Sequence, residues 1–383
     1  MLPDLRPPVS SLERIPEEWE ALVTSWGEQP YRGRQVFRWI HHSGVIDPEA
    51  MTDLSKRLRG RLAEESLAWP LEVVDVHRTA DRTRKLLVRA ADGREVETVL
   101  IPQLRDADPD AEDGAEERVD GRVPGLRITQ CISSQVGCAM GCVFCASGRA
   151  GLKRNLSAAE IVGQVLLGRA HLEEGELLRN VVFMGMGEPL HNYDAVARAL
   201  VLLTHPQGLD LSSRRVTVST SGLVPEIDRL AADFGGQVQL AISLHAASDE
   251  KRSSLMPINR KHPVAELVAA LRRYPLPKRR RITIEYTLMR GVNDAPDHAD
   301  GLARLFEGIP IKVNLIPMNP IDDIPLSAPA SAAVLAFQER LRDRGVAAYV
   351  RTRRGDAISA ACGQLALAGE RRSVRVPVPT TGE

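Results

Sequence analysis

Between about Pro16 and Glu65 apolar side chains recur every three or four positions, the interval of helices with one buried face. Pro16-Glu-Glu-Trp19 opens one such segment, and Arg34 to His42 carries Val36, Phe37 and Ile40 at the same spacing. The period then changes. Leu71 to Val76, Arg84 to Arg89 and Glu95 to Ile101 read as strands, the last two joined by the turn signal Ala91-Asp92-Gly93. Beyond Leu126 short apolar runs alternate with amphipathic stretches. The runs Leu126 to Ser133, Asn180 to Met184, Arg215 to Ser219, Val238 to Ser243, Arg281 to Met289 and Ile311 to Ile316 predict six strands, with Val346 to Arg351 as a further edge strand. Between the first two, Ser157 and Glu160 form a capping box, and Ile161, Val162, Val165 and Leu166 make the buried stripe of the helix that follows. Six strand-helix units imply an α/β fold whose parallel sheet curls into a TIM-like partial (β/α)6 barrel, with its reactive groups at the strand C-termini. The expected organisation is a helical accessory domain over residues 1–70, a β extension and acidic loop over 71–124, the barrel over 125–366 and a tail over 367–383.

The length of 383 residues accommodates one large and one smaller domain. No apolar run is long enough to span a membrane, and Met1 to Ser11 is proline-rich and polar, so a soluble, cytoplasmic protein is expected. A formal net charge of zero argues against whole-surface attraction to nucleic acid. That zero is an average. Eight acids lie between Arg105 and Arg122, within the Gly- and Pro-containing stretch Gln103 to Pro124, and the rest of the chain has an excess of five positive charges. The composition of the stretch fits a mobile, solvated loop. Five cysteines without a secretory signal do not look like a disulfide framework and direct attention to thiolate chemistry or metal ligation.

Three of those cysteines, in Cys138-Ala-Met-Gly-Cys142-Val-Phe-Cys145, directly follow the first barrel strand, which puts them on a loop at the reactive face. A 4Fe-4S cluster usually takes four thiolates, so three leave one iron open to another ligand. The spacing resembles that of the radical S-adenosylmethionine (SAM) superfamily, in which SAM chelates the open iron. A structural zinc site with a fourth ligand elsewhere, or buried unreactive cysteines, are the competing readings. Gly185-Met186-Gly187-Glu188-Pro189 ends the second strand, where the backbone at Gly187 and the Glu188 carboxylate could hold the SAM amino group. Ser219 and Ser221 end the third strand, Ser243-Leu244-His245 ends the fourth, and Asn314 lies in the sixth. On one barrel face these residues would meet a ribose, a carboxylate or an adenine.

Longer stretches identify a family. Cys131-Ile-Ser-Ser-Gln-Val-Gly-Cys138, Phe183-Met-Gly-Met-Gly-Glu-Pro189, Met256-Pro-Ile-Asn259, Gly291-Val-Asn-Asp294 and Ala361-Cys362-Gly-Gln-Leu365 closely resemble the RlmN and Cfr RNA adenine methyltransferases. The resemblance runs from about Trp19 to Leu365, and Tyr31-Arg-Gly-Arg-Gln-Val-Phe-Arg-Trp-Ile40 and Met51-Thr-Asp-Leu-Ser55 look like the family's accessory domain. Glu188-Pro189, Thr220-Ser221-Gly222 and Ile316-Pro317 look like the RlmN branch, which modifies adenine C2; Cfr proteins, which modify C8, tend to carry alanine, isoleucine and arginine at the second residue of each. The acidic insertion departs from the family, which usually has a short link between Ile101-Pro102 and Cys131.

The resemblance implies a mechanism. C2 of adenine is too electron-poor to attack the methyl group of SAM, which makes a radical route necessary. Cys138, Cys142 and Cys145 would hold the cluster, and two SAM molecules would be used per turnover. Cys362 would take a methyl from the first, becoming S-methylcysteine. Cleavage of the second would yield the radical that removes a hydrogen from that methyl group; the methylene would add to C2, Glu97 would accept the C2 proton, and Cys131 would release the product by forming a transient disulfide with Cys362. Glu97 taken alone reads as a solvent-facing strand residue, and Cys362 as a small buried hydrophobe. The implied partners are 23S rRNA, tRNA or both, and an electron donor such as flavodoxin or ferredoxin, for a monomer. Arg32, Arg34, Arg38 and His41, Lys278 to Arg281, and Arg351-Thr-Arg-Arg354 supply basic clusters that could clamp RNA phosphates, though each also fits solvated surface charge. A radical SAM enzyme acting on a peptide or small molecule would need neither Cys131 nor Cys362, and a non-enzymatic RNA-binding module would carry zinc.

Overall fold

The computed structural model describes residues 3, 5–8, 10–65, 67–103, 125–321, 324–351 and 363–365. Three helices come first, α1 (Pro16–Ser25), α2 (Tyr31–His41) and α3 (Lys56–Glu64). Pro16 occupies the first turn of α1, where its missing N–H costs nothing, and Glu18 reaches back to accept from Ile15 N at 2.9 Å. The α1 and α2 backbones touch at Gly33: a Cβ there would lie 2.4 Å from Glu20 N, so no larger residue fits. Strands β1 (Leu71–Arg78), β2 (Arg84–Ala90) and β3 (Glu95–Pro102) form an antiparallel meander that continues, also antiparallel, into β4 (Leu126–Cys131).

From β4 onward the sheet is parallel. A small clip of β5 (Gln135–Val136) and β6 (Arg154–Asn155) brackets the short helix α4 (Ala146–Ala150). There follow α5 (Ala158–Ala170), β7 (Glu176–Phe183), α6 (Tyr193–Thr204), β8 (Val216–Thr220), α7 (Val224–Phe234), β9 (Gln239–Ser243), α8 (Asp249–Leu255), α9 (Val264–Arg273), β10 (Ile282–Leu288), α10 (Pro296–Leu305), β11 (Ile311–Pro317), α11 (Ser331–Asp343) and β12 (Ala347–Val350). The ten strands run in the order β1-β2-β3-β4-β7-β8-β9-β10-β11-β12, and the two ends do not meet. The expected partial barrel is thus an open curved sheet with six strand-helix units, β12 completing its edge as anticipated, and a meander extending the other edge. Strand β7 begins four residues before the expected Asn180. Its first half, Glu176 to Arg179, interleaves charged residues with leucines and hides the apolar run.

The Ser157 capping box forms as expected, with Glu160 N donating to Ser157 Oγ (3.1 Å) and Ser157 N donating to Glu160 Oε2 (2.8 Å). Helix α5 is buried nearly all round, not only along Ile161, Val162, Val165 and Leu166, because β1 and β3 of the sheet, α6 and the turn at Ser11–Glu13 all pack on it. The seam is polar as well as apolar. Glu13 accepts from Ala159 N at 3.2 Å, and the buried Arg198 guanidinium of α6 donates to Glu13 O (2.8 Å) and to both oxygens of Glu18 (2.8 and 3.0 Å). Trp19, Val36 and Phe37 belong to the same continuous core as the barrel strands. His41 corrects one expectation. It is fully buried on the apolar side of α2, its ring 4.6 Å from that of Phe37, so it is no part of a basic face toward RNA.

Candidate active site

The parallel strands β4 and β7 to β11 deliver residues to one end of the main sheet. Cys131 closes β4, and the following turn is tied in three directions: Ser133 Oγ donates to Glu97 O (2.7 Å), Met186 N donates to Ser133 Oγ (2.9 Å), and Ser133 N donates to Gln164 Oε1 (2.8 Å). The β5–β6 clip then pins both ends of the loop bearing Cys138, Cys142 and Cys145. Inside the loop, Cys138 N donates to Gly151 O (3.3 Å), Val143 N to Leu255 O (3.0 Å) and Cys145 N to Cys142 O (3.3 Å). Its floor is a separate apolar cluster of Phe144, Ala246, Leu255, Met256, Met289 and Met318, against which Cys142 and Cys145 pack.

The electrostatics of the loop suit a metal cluster. Burial pushes the Cys138 thiol up to about 12, with the charges of Glu188 and Cys145 adding to the shift. The Cys142 thiol is held well above its ordinary range by burial first, then by Cys145, Cys138 and Glu188, with only Arg252 opposing. Three thiolates cannot share this pocket without added positive charge, which iron supplies on ligation. Among the described residues no three His, Cys, Asp or Glu side chains converge tightly enough to hold a single ion. A 4Fe-4S cluster gives each thiolate its own iron, so its ligands need not converge on one point.

The residues expected around SAM assemble on the same rim. Gly187 has φ +104°, and a Cβ on it would lie 2.6 Å from Gln135 Cβ. Glu188 is buried; its amide donates to Gln135 Oε1 (2.8 Å), and its carboxylate accepts from Leu190 N (3.1 Å) and Ser221 N (2.7 Å), bridging the ends of β7 and β8. Burial raises its pKa, and those N–H donors oppose the rise. Ser219 is buried near the end of β8, and Ser221, two residues on, is buried beside the Glu188 carboxylate. Ser243, Glu285 and Asn314 lie in register across β9, β10 and β11, and Asn314 Nδ2 donates to Glu285 Oε1 at 3.0 Å. Leu244 is fully buried and donates its N–H to Glu285 O (3.1 Å). His245 has a left-handed backbone (φ 60°) and a ring edge-on to Phe144 at 4.6 Å. Its Nδ1 accepts from Thr287 N (2.9 Å), and burial, then Arg252, lowers its pKa to about 3, so it braces the loop as a neutral imidazole.

Glu97 does not face solvent. Its Oε1 lies 2.7 Å from Lys85 Nζ, with both side chains only a tenth exposed. Lys85 pairs with Val99 and Val99 with Cys131 across β2, β3 and β4, so Lys85, Glu97 and Cys131 share one sheet face. Thr98 turns the other way, bonding Cys131 O (2.9 Å) and accepting from Gln130 Nε2 (3.0 Å), on the side that meets α5. Cys362 lies outside the described residues, as do Arg353, Arg354 and the acidic loop 105–122. The residues just after Cys362 dock on the cysteine loop: Ala146 N donates to Gly363 O (2.9 Å), and Ser147 Oγ donates to Leu365 O (2.6 Å). Among the described residues no cysteine is in a disulfide.

Lys85, Arg252 and Glu285 escaped sequence reasoning. Glu285 had a signal, an acid inside the apolar run Ile282 to Leu288, whereas Lys85 and Arg252 gain meaning only from partners on other elements. The basic run Lys278 to Arg281 lines a cleft of about 460 Å³ before β10, at the opposite end of the strands from the cysteine loop.

Comparison with known proteins agrees with this arrangement. The radical SAM superfamily model matches residues 132–302, and the model of the ribosomal RNA large subunit methyltransferase N-terminal domain matches residues 13–67. The dual-specificity RNA methyltransferase RlmN of Sorangium cellulosum is 61% identical over 96% of this chain and 98% of its own. The chain belongs to the RlmN family. The RlmN of Anaeromyxobacter dehalogenans is 47% identical over 94% of the chain and 92% of its own length. A crystal structure of a radical SAM methyltransferase from Sphaerobacter thermophilus superposes with a TM-score of 0.83 at 45% identity, covering 94% of this chain and 99% of that one. The enzyme is therefore an RNA methyltransferase of the radical SAM class, which implies a 4Fe-4S cluster and SAM. Among the described residues no helix is long and apolar enough to cross a membrane.

Proposed function

We propose that this RlmN family enzyme methylates C2 of an adenine in 23S rRNA and in tRNA, by way of S-methylcysteine at Cys362 and a transient protein-RNA adduct. The observation that carries the reading is the shared face of Lys85, Glu97 and Cys131, one strand from the cysteine loop: it puts a buried carboxylate beside the cysteine that would resolve the adduct. The double specificity follows the names of the relatives.

Cys138, Cys142 and Cys145 would hold the cluster, leaving a coordination place at which SAM would bind. Gly187, Glu188, Ser219, Ser243, Leu244, His245 and Asn314 line the SAM site, Glu188 offering its carboxylate to the amino group. When bound, the cluster supplies the electron that cleaves the SAM sulfonium. The Cys362 thiolate accepts a methyl group from a first SAM by displacement, and that S-methyl group gives up one hydrogen atom to the 5'-deoxyadenosyl radical left by cleavage of a second SAM, which departs as 5'-deoxyadenosine. Its methylene carbon bonds to C2. Glu97 takes the C2 proton, held in place by its contact with Lys85, and the electron given up with that proton would return to the group held by Cys138, Cys142 and Cys145, so that no outside oxidant is consumed. The Cys131 thiolate displaces the methylene carbon from the Cys362 sulfur; that carbon takes up a proton and leaves as the methyl of the product. The docking of Gly363 and Leu365 on α4 supports a carrier cysteine held beside the cluster loop.

The test is nucleoside mass spectrometry of 23S rRNA and tRNA treated with the reconstituted holoenzyme. 2-Methyladenosine in both RNAs is expected; 8-methyladenosine, or an unmodified RNA of either kind, overturns the corresponding part of the proposal.

A further inference from the structure

Arg252 is fully buried on α8, behind the cysteine loop, and its guanidinium donates only to neutral acceptors: Leu244 O (3.2 Å), Asn259 Oδ1 (2.8 Å), Ser221 O (2.6 Å) and Ser243 O (3.3 Å). Among the described residues no carboxylate pairs with it. Asp249, at the start of the same helix, favours the Arg252 cation at a distance and less than Cys142 does, but its carboxylate is hydrogen-bonded to Asn259 Nδ2 (2.9 Å) and Val264 N (2.7 Å) and not to the guanidinium. Glu188 accepts from Ser221 N, whereas Arg252 holds the Ser221 carbonyl. Burying a guanidinium without an anion carries a large desolvation penalty, so a charge left in this condition marks a place where negative charge arrives. The cysteine loop is that place. Helix α8 supports it directly through Leu255 O, which accepts from Val143 N at 3.0 Å, and the Cys142 thiolate is the largest favourable influence on the Arg252 cation.

We propose that Arg252 is a positioning residue with two tasks: its fork fixes the β8 and β9 loop ends at Ser221, Ser243 and Leu244, and its fixed charge stabilises the cluster when it gains an electron. The inference rests on the assignment of a 4Fe-4S cluster to Cys138, Cys142 and Cys145. A cluster bearing three thiolates becomes more negative by one charge when a one-electron donor reduces it from the 2+ to the 1+ core. A buried cation nearby favours the reduced form and raises the potential. Arg252 itself is fully buried, so water screens its charge little. The hydrogen bonds alone would give Arg252 the first task; the missing counter-ion points to the second.

The experiment compares anaerobically reconstituted full-length wild type, Arg252→Gln and Arg252→Lys by iron content and by dithionite titration of the cluster followed by electron paramagnetic resonance, without SAM or RNA. With equal iron, the reduced fraction of Arg252→Gln at a fixed potential is expected to fall at least tenfold relative to the oxidised, a midpoint about 59 mV lower. Arg252→Lys keeps the charge and loses the fork, so its midpoint should stay near wild type while its KM for SAM rises. Equal midpoints in all three proteins, or equal falls in both variants, overturn the electrostatic role. Should Arg252→Gln fail to load iron, Asn259→Asp takes its place by setting a carboxylate against the guanidinium; an unchanged midpoint there overturns the proposal equally. Absence of any cluster signal from the wild type would instead sink the cluster assignment itself.

Discussion

His41 makes the stability of the seam between the N-terminal helices and the barrel dependent on pH. Its ring is fully buried against Phe37, and burial lowers its pKa from 6.5 to about 3. The Leu12 carbonyl favours the protonated ring slightly and His205 disfavours it, neither enough to offset desolvation. The unfolded chain takes up a proton that the native ring refuses. The stabilisation is therefore complete above pH 6.5 and drains as pH falls toward 3. A shift of this size corresponds to about 5 kcal/mol at the acid limit, of which about 2 kcal/mol is lost between pH 7 and pH 5. That is a large part of a typical net stability. Urea unfolding of the reduced protein at pH 7 and pH 5, beside His41→Leu, measures it. With an m-value of about 3 kcal/mol per molar, the variant's midpoint should fall about 0.7 M less over this interval than that of wild type. The same pH dependence in both proteins would refute the reasoning.

Two substitutions test the rim of the site. Gly187→Ala forces a β-carbon against Gln135 at a backbone angle that alanine resists, so it should cost about 1–3 kcal/mol in stability and weaken SAM binding measured by calorimetry; unchanged stability and affinity would mean that the turn yields. Lys85→Met removes the ammonium beside Glu97 and should slow RNA methylation by on the order of a hundredfold while leaving reductive SAM cleavage at its normal rate; a parallel loss of SAM cleavage would show that the pair supports the cluster end of the site instead.

Much of this architecture is written in local pattern. Apart from the start of β7, the period-two and short apolar runs locate the strands to within a residue or two, and the capping box of α5 is visible as Ser157 and Glu160 because its partners are three residues apart. The first half of β7 is hidden because the charges at its two ends, Glu176 and Arg179, break up the apolar run, and Glu176 finds its partner elsewhere, in Arg84 of β2. His41 illustrates the opposite error: it stands four residues after Phe37, on the apolar side, and its polarity outweighed its position. In the site, the cysteine spacing and the rim residues are legible because each sits beside a strand end. Lys85, Arg252 and the register of Ser243, Glu285 and Asn314 are not, since tertiary pairing alone joins residues from different strands and helices into one charge arrangement.

The central claim, a methyl carrier at Cys362 and a resolver at Cys131, is tested most directly by a single gel. Holoenzymes carrying Cys131→Ala or Cys362→Ala are incubated with labelled RNA, SAM and reductant, then denatured. Cys131→Ala should accumulate protein joined to RNA through a methylene, as a band that survives denaturation and vanishes with nuclease; Cys362→Ala should give neither adduct nor methylated RNA while still loading iron. The adduct appearing in Cys362→Ala instead would reverse the two roles, and full methylation by both variants would contradict the S-methylcysteine route altogether.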